Sequence, residues 1–184
     1  MSISDKFSKF CSALRMTDET VSNIRYRAKQ ITKRVNSDFR SVDSDTRYSL
    51  FVGSYGRGTD IHKSDIDMIV ELPYSEYEKY NNYSGNGQSA LIQAVKESIK
   101  RTYSTTHTSG DGQVVKLNFQ DGICYEIVPG FINKDNSSYT YPDANNGGSW
   151  KTTKPREEIA EITSANNLWN KNLGNQWGQT RLIL

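Results

Sequence analysis

The sequence predicts one α+β domain in which helices back a sheet. Three observations carry this reading. Phe51 to Leu72, FVGSYGRGTDIHKSDIDMIVEL, reads as a short apolar strand, a glycine-broken loop carrying one serine, and a second strand. Val114 to Phe119 and Ile123 to Val128 read as a hairpin around Gln120-Asp121-Gly122. Two segments with apolar residues at helical spacing end near Phe39 and near Tyr103.

A chain of 184 residues is most simply one domain with a real core. A mean hydropathy of −0.72 and 24% charged residues describe a soluble protein, and no apolar run is long enough to cross a bilayer or serve as a signal peptide. The expected location is cytoplasmic. A net charge of +2 lacks the basic excess of a strong nucleic-acid binder. Cys11 and Cys124 have neither metal-ligand spacing nor a disulfide framework, so both read as reduced thiols without a catalytic part.

Ile3, Phe7, Phe10, Cys11 and Leu14 suggest a short amphipathic helix. A second helix is capped by Thr17, with Asp18 and Glu19 at its positive end and Met16 and Val21 as a staple. Its apolar stripe is Val21, Ile24, Ala28, Ile31 and Val35. The opposite side carries Arg25, Arg27, Lys29, Lys33 and Arg34, read as a solvated face in preference to a phosphate-tracking one.

In Phe51 to Leu72, residues two apart on the second strand face the same way. Asp65 and Asp67 therefore share one side while Ile66, Met68 and Val70 enter the core. Two such carboxylates repel unless a cation lies between them. Mg²⁺, or Mn²⁺, is the ion suited to carboxylate and phosphate oxygens. A solvated acidic strand end is the alternative. Gly53 and Ser54 favour the metal reading, because glycine lets backbone N–H groups approach an anion and the hydroxyl adds a donor.

Pro73 to Gly87 looks exposed, with a short helix placing Tyr74, Tyr77, Tyr80 and Tyr83 over the sheet. Gln88 to Tyr103 is a helix with Leu91, Ile92, Val95 and Ile99 inward. Ser104 to Gly112 is a polar stretch. His62 and His107 read as surface residues. On the second hairpin strand Glu126 shares a face with Cys124 and Val128, and burying it is costly unless it is paired or metal-bound. Tyr139 to Pro155 reads as a loop broken by Pro142, Gly147 and Gly148. Pro155 opens a helix with Glu157 and Glu158 in its first turn and Ile159, Ile162 and Leu168 inward.

The run Gly53-Ser54-Tyr55-Gly56-Arg57-Gly58-Thr59, followed by Ser64-Asp65-Ile66-Asp67, resembles the signature of the polymerase-β-like nucleotidyltransferases. Within them it is most similar to the bacterial CD-NTases, relatives of cGAS and oligoadenylate synthase that make cyclic oligonucleotides. The resemblance implies a mixed sheet and a third carboxylate, which Glu126-Ile127-Val128-Pro129 supplies with Glu where most such enzymes have Asp. It implies Asp65, Asp67 and Glu126 as catalytic metal ligands. Gly53, Ser54, Tyr55 and Arg57 would bind nucleoside triphosphate, with Lys63 also near phosphate. Ser149, Trp150 and Lys151 stand in a segment similar to one that CD-NTases carry beside the nucleotide pocket, which implies contact with nucleotide; the alternative is Trp150 as the anchor of a long loop. It further implies an antiphage role through a separate effector protein.

The resemblance runs from about Met16 to Asn175, leaving 176–184 as a divergent tail where relatives continue into a helical lobe. The expectation is a truncated catalytic core, weakly active or inactive alone. The alternatives are a noncatalytic nucleotide- or protein-binding remnant, and nucleotidyl transfer to a small-molecule or protein acceptor.

Overall fold

Helix α1, Ile3–Leu14, begins at a reciprocal cap in which Ser2 Oγ accepts from Asp5 N and Asp5 Oδ2 accepts from Ser2 N. The computed structural model describes residues 2–61 and 65–177, with side chains as far as 168. His62, Lys63 and Ser64 therefore lie outside the described residues, as does most of the tail. The amphipathic α1 forms where its spacing predicts, but none of its residues is buried, and Ile3, Phe7 and Phe10 stay exposed.

Helix α2, Asp18–Arg40, starts at Thr17, whose Oγ1 accepts from Thr20 N at 3.1 Å. It buries the expected stripe of Ile24, Ala28, Ile31 and Val35. Its basic side is less solvated than expected. Arg27 forms a bidentate pair with Asp121 at 2.7 and 3.1 Å while lying over the Phe119 ring, and Arg34 Nε donates to Thr102. These contacts tie α2 to the hairpin turn and to the end of a later helix.

The strands are β1, Ser49–Phe51; β2, Ile66–Glu71; β3, His107–Asp111; β4, Val114–Asn118; β5, Cys124–Ile132; β6, Tyr139–Asp143; and β7, Ser149–Thr153. They form a mixed sheet in the order β1-β2-β5-β4-β3, with β6 joining the far end of β5 and β7 joining β6. The β2–β5 pair is parallel and the others are antiparallel. The short α3, Gly53–Arg57, follows β1, where the sequence suggests a loop. Then come α4, Tyr74–Asn81, and α5, Gly87–Lys100, in their expected places. The last described element is α6, Pro155–Trp177, which passes through Gln176 without a break.

One face of the sheet, made by Ile66, Met68, Val70, Val115, Leu117, Tyr125 and Ile127, packs under α2 and α5, whose Leu91, Ile92, Val95 and Ile99 are buried. Period-2 alternation on the strands and helical period on the helices meet there, which is the physical content of the α+β reading. Tyr125 reaches through this core and donates to the Ile24 carbonyl at 2.6 Å.

Further expectations need correction. The polar Ser104 to Gly112 contains β3, an edge strand whose side chains are mostly exposed, so it shows no hydrophobic alternation. Tyr139 to Pro155 is the β6–β7 hairpin. Its bend is stabilised by Asp143, which accepts from Asn145 N and Nδ2 and pairs with Lys151, while Gly147 and Gly148 take positive φ. In α6, Ile159 and Ile162 are half-buried as expected, but Leu168 is 61% exposed. The tyrosines behave as expected at Tyr80, which is buried, and at Tyr77, which packs on Phe131 and Trp150, whereas Tyr74 and Tyr83 are exposed.

Candidate active site

The face of β2 turned away from α2 and α5 carries Asp67. Parallel register places Asp67 beside Glu126 on β5, and antiparallel register places Glu126 beside Lys116 on β4. Asp65 stands just before β2, two residues from Asp67 and on the same side by alternation, and it is exposed. The three predicted carboxylates thus come from two separate segments to one end of one sheet face.

The turn after β1 is built against this group. Val52 N donates to the Asp67 carbonyl at 2.9 Å, Gly53 turns at φ +59°, and a Cβ there would overlap the Asp67 carboxylate. Only glycine meets both demands without displacement. Ser54 is half-exposed in the first turn of α3, and its carbonyl accepts from Thr59 N at 2.9 Å. The Tyr55 ring meets Phe51 edge-on at 4.7 Å and packs against the core. Arg57 Nη1 pairs with Glu158 Oε1 at 3.0 Å, which joins α3 to α6. Ile159 comes close to Gly56 in the same contact.

Burial pushes the Asp67 carboxyl above its ordinary range, the negative charges of Glu126 and Asp65 push it further, and Arg57 opposes them. Burial and the same carboxylates raise the Cys124 thiol, which agrees with a protonated, unreactive cysteine. Lys116 Nζ lies 2.9 Å from Asp111 Oδ2 and 3.1 Å from Glu126 Oε1, and these two hydrogen bonds raise its pKa.

The donor set fits a hard divalent ion: three carboxylates converge, and the half-buried member is destabilised as an anion by its neighbours. Among the described residues, however, no three His, Cys, Asp or Glu side chains already stand as a ligand group. Glu126 is instead held by the Lys116 ammonium at 3.1 Å. Asp65, Asp67 and Glu126 are the residues that would hold such an ion.

Ser149, Trp150 and Lys151 are not brought to the carboxylates. Trp150 donates to Asn81 Oδ1 at 3.0 Å and packs on Tyr77 and Phe131, with ring centroids 4.8 and 5.7 Å away. Phe131 lies five residues along β5 from Glu126, about 16 Å at strand rise. Lys151 is engaged by Asp143, and Ser149 is exposed on β7. Trp150 therefore anchors the β6–β7 branch. Lys116 is the residue that sequence reasoning missed. A turn centred on Asp121 pairs 116 with 126, so the hairpin itself contained the signal.

The mixed sheet with its helical backing, the Gly53-Ser54 turn and the strand-borne acidic residues define the polymerase-β-like nucleotidyltransferase fold. The family model for the Second Messenger Oligonucleotide or Dinucleotide Synthetase domain matches residues 1–166, and the chain belongs to that family. No curated protein matches the chain. Among solved structures it is similar to the Bradyrhizobium diazoefficiens CD-NTase CdnG in complex with GTP, at 12% identity and a TM-score of 0.63, over 90% of this chain and 49% of that one. It is also similar to CdnC of E. coli MS115-1 in its HORMA-deltaN complex, at 13% identity and a TM-score of 0.58, over 89% and 50%. A mutant of the Vibrio cholerae di-nucleotide cyclase DncV aligns at 11% identity and a TM-score of 0.59, over 89% and 61%. At these identities the likeness is one of fold, and the chain spans about half the length of the first two.

Proposed function

We propose that this chain is the catalytic core of a metal-dependent nucleotidyltransferase that joins nucleoside triphosphates into a cyclic di- or trinucleotide second messenger. The observation that carries this reading is the register pairing of Asp67 with Glu126 on the open sheet face, against the Gly53 turn. GTP in the CdnG structure and ATP in a CdnC structure support nucleoside triphosphates as substrates.

Asp65, Asp67 and Glu126 hold Mg²⁺, or Mn²⁺. When bound, the ion supplies charge stabilisation at the reacting phosphate and lowers the pKa of an attacking hydroxyl. Gly53 and Ser54 receive the outer phosphates through backbone N–H groups and the serine hydroxyl. Arg57 stands near enough to Asp67 to act on its charge, and it offers a cation to phosphate once released from Glu158. A ribose hydroxyl of one nucleotide joins the α-phosphate of another, and pyrophosphate leaves. No cysteine or histidine enters this scheme.

In the cell the product acts on a separate effector in antiphage signalling. The proposed place of this reaction is the cytoplasm; no described helix is long and apolar enough to cross a membrane. One observation favours a second reading, a noncatalytic nucleotide binder: Lys116 neutralises the third carboxylate. Incubation of the purified chain with labelled nucleoside triphosphates and Mg²⁺ or Mn²⁺ separates the possibilities. Cyclic product supports the first reading, a labelled acceptor indicates transfer elsewhere, and retention of nucleotide without turnover supports the second.

A further inference from the structure

Strand register sets Ser109, Lys116, Glu126 and Asp67 in one row across β3, β4, β5 and β2. Within that row the Lys116 ammonium bridges a site carboxylate and an outlying one. Glu126 is 28% exposed and Asp111, at the end of β3, is 65% exposed. An ammonium and a divalent cation seek the same carboxylate oxygens and repel each other, so Glu126 cannot serve both at full strength. Asp111 changes the cost of leaving. The lysine can give up Glu126 and remain paired, because its second acceptor is already within hydrogen-bond distance.

We propose that Lys116 is a positioning residue that guards Glu126. It holds the carboxylate while no divalent ion is present and passes wholly to Asp111 when Glu126 turns to the metal. This rests on the reading of Asp65, Asp67 and Glu126 as the metal site. The two partners of Lys116 then have opposite effects on metal affinity. Removing the ammonium frees Glu126, whereas removing Asp111 leaves Lys116 with Glu126 alone. With Lys116→Met already present, Asp111→Asn should change Mn²⁺ affinity no further, whereas a lysine acting by its charge alone would leave the Asp111→Asn effect intact.

The test is Mn²⁺ titration of the full chain without nucleotide, followed by the electron paramagnetic resonance signal of free Mn²⁺. It uses wild type, Lys116→Met, Asp111→Asn and Asp67→Asn, with thermal melts to establish folding. Lys116→Met should bind Mn²⁺ about tenfold more tightly, the effect of removing one screened neighbouring charge. Asp111→Asn should bind several-fold more weakly, and Asp67→Asn should lose the site. If Asp67→Asn loses Mn²⁺ but Lys116→Met binds no better than wild type, the guard is overturned and the metal site stands. If Asp67→Asn binds as wild type does, or if neither wild type nor Lys116→Met binds, both fail. Should Lys116→Met not fold, Asp111→Asn decides: unchanged affinity overturns the proposal.

Discussion

Gly53 lies against the Asp67 carboxylate so closely that any side chain at Gly53 would occupy the same space. The contact joins the turn proposed to receive phosphate to the strand proposed to hold metal, so the two parts of the site are built as one piece. Gly53→Ala, which also meets a φ of +59°, should destabilise the fold by roughly 2 kcal/mol. It should also displace Asp67. Urea unfolding and Mn²⁺ binding check the two effects, and a variant with unchanged values for both would contradict the geometry.

Asp67→Asn should raise the thermal midpoint of the metal-free protein while reducing nucleotide turnover about a thousandfold or more. The physical reason is that burial, Glu126 and Asp65 all disfavour the anion at this position. Ser54→Ala should be milder, about tenfold, because it removes one donor among several. Full turnover by an Asp65→Ala, Asp67→Ala double variant would refute the assignment of the site.

Tyr125 is fully buried, and its hydroxyl donates to the Ile24 carbonyl at 2.6 Å. Tyr125→Phe should cost about 1 kcal/mol, the net worth of a buried hydrogen bond, with no change in the steepness of urea unfolding. The backbone of α2 retains its own helical bonds, so a loss several times larger would mean that this hydroxyl organises more than one contact.

Trp150 packs on Tyr77 and Phe131 and binds Asn81. Trp150→Ala should therefore destabilise by about 2 to 3 kcal/mol, below the full cost of a buried tryptophan because the residue is only half-buried. Trp150→Phe should restore much of this. Amide hydrogen exchange would localise the effect: protection should fall first in β6 and β7.

The Asp143 carboxyl is lowered from 3.8 to about 2, chiefly by Lys151 and then by the backbone N–H of Asn145. A folded value below the unfolded one gives stability that is present above about pH 3.8 and lost as pH falls toward about 2. Asp143→Asn should accordingly be less stable than wild type at pH 6, with the difference in urea midpoint closing between about pH 4 and pH 2. A difference that stays constant to pH 2 would show that the charge of Asp143 contributes nothing.

Much of the site was legible in the chain because its parts are local. Alternation alone separates Asp65 and Asp67 from Ile66, Met68 and Val70, and the glycine-serine turn a few residues before them is visible as a motif. The helices α2 and α5 announce themselves through apolar stripes, which are buried as their period requires. The edge strand β3 and the β6–β7 hairpin were not legible. β3 and β7 are polar and mostly exposed, and pairing with a neighbouring strand holds them in place, while β6 buries Tyr139, Pro142 and Asp143 in a pattern without strict alternation.

The amino-acid sequence by itself determined the helical layers, the acidic strand end and the turn that faces it, since each depends on residues a few positions apart. Tertiary structure decided which carboxylates meet and what else meets them. Asp67 and Glu126 become neighbours only through parallel strand register across 58 intervening positions, and the same register lays Lys116 on Glu126 while the far branch draws Trp150 away. Charge and packing at those meetings depend on distance in space, which no local pattern of residues specifies.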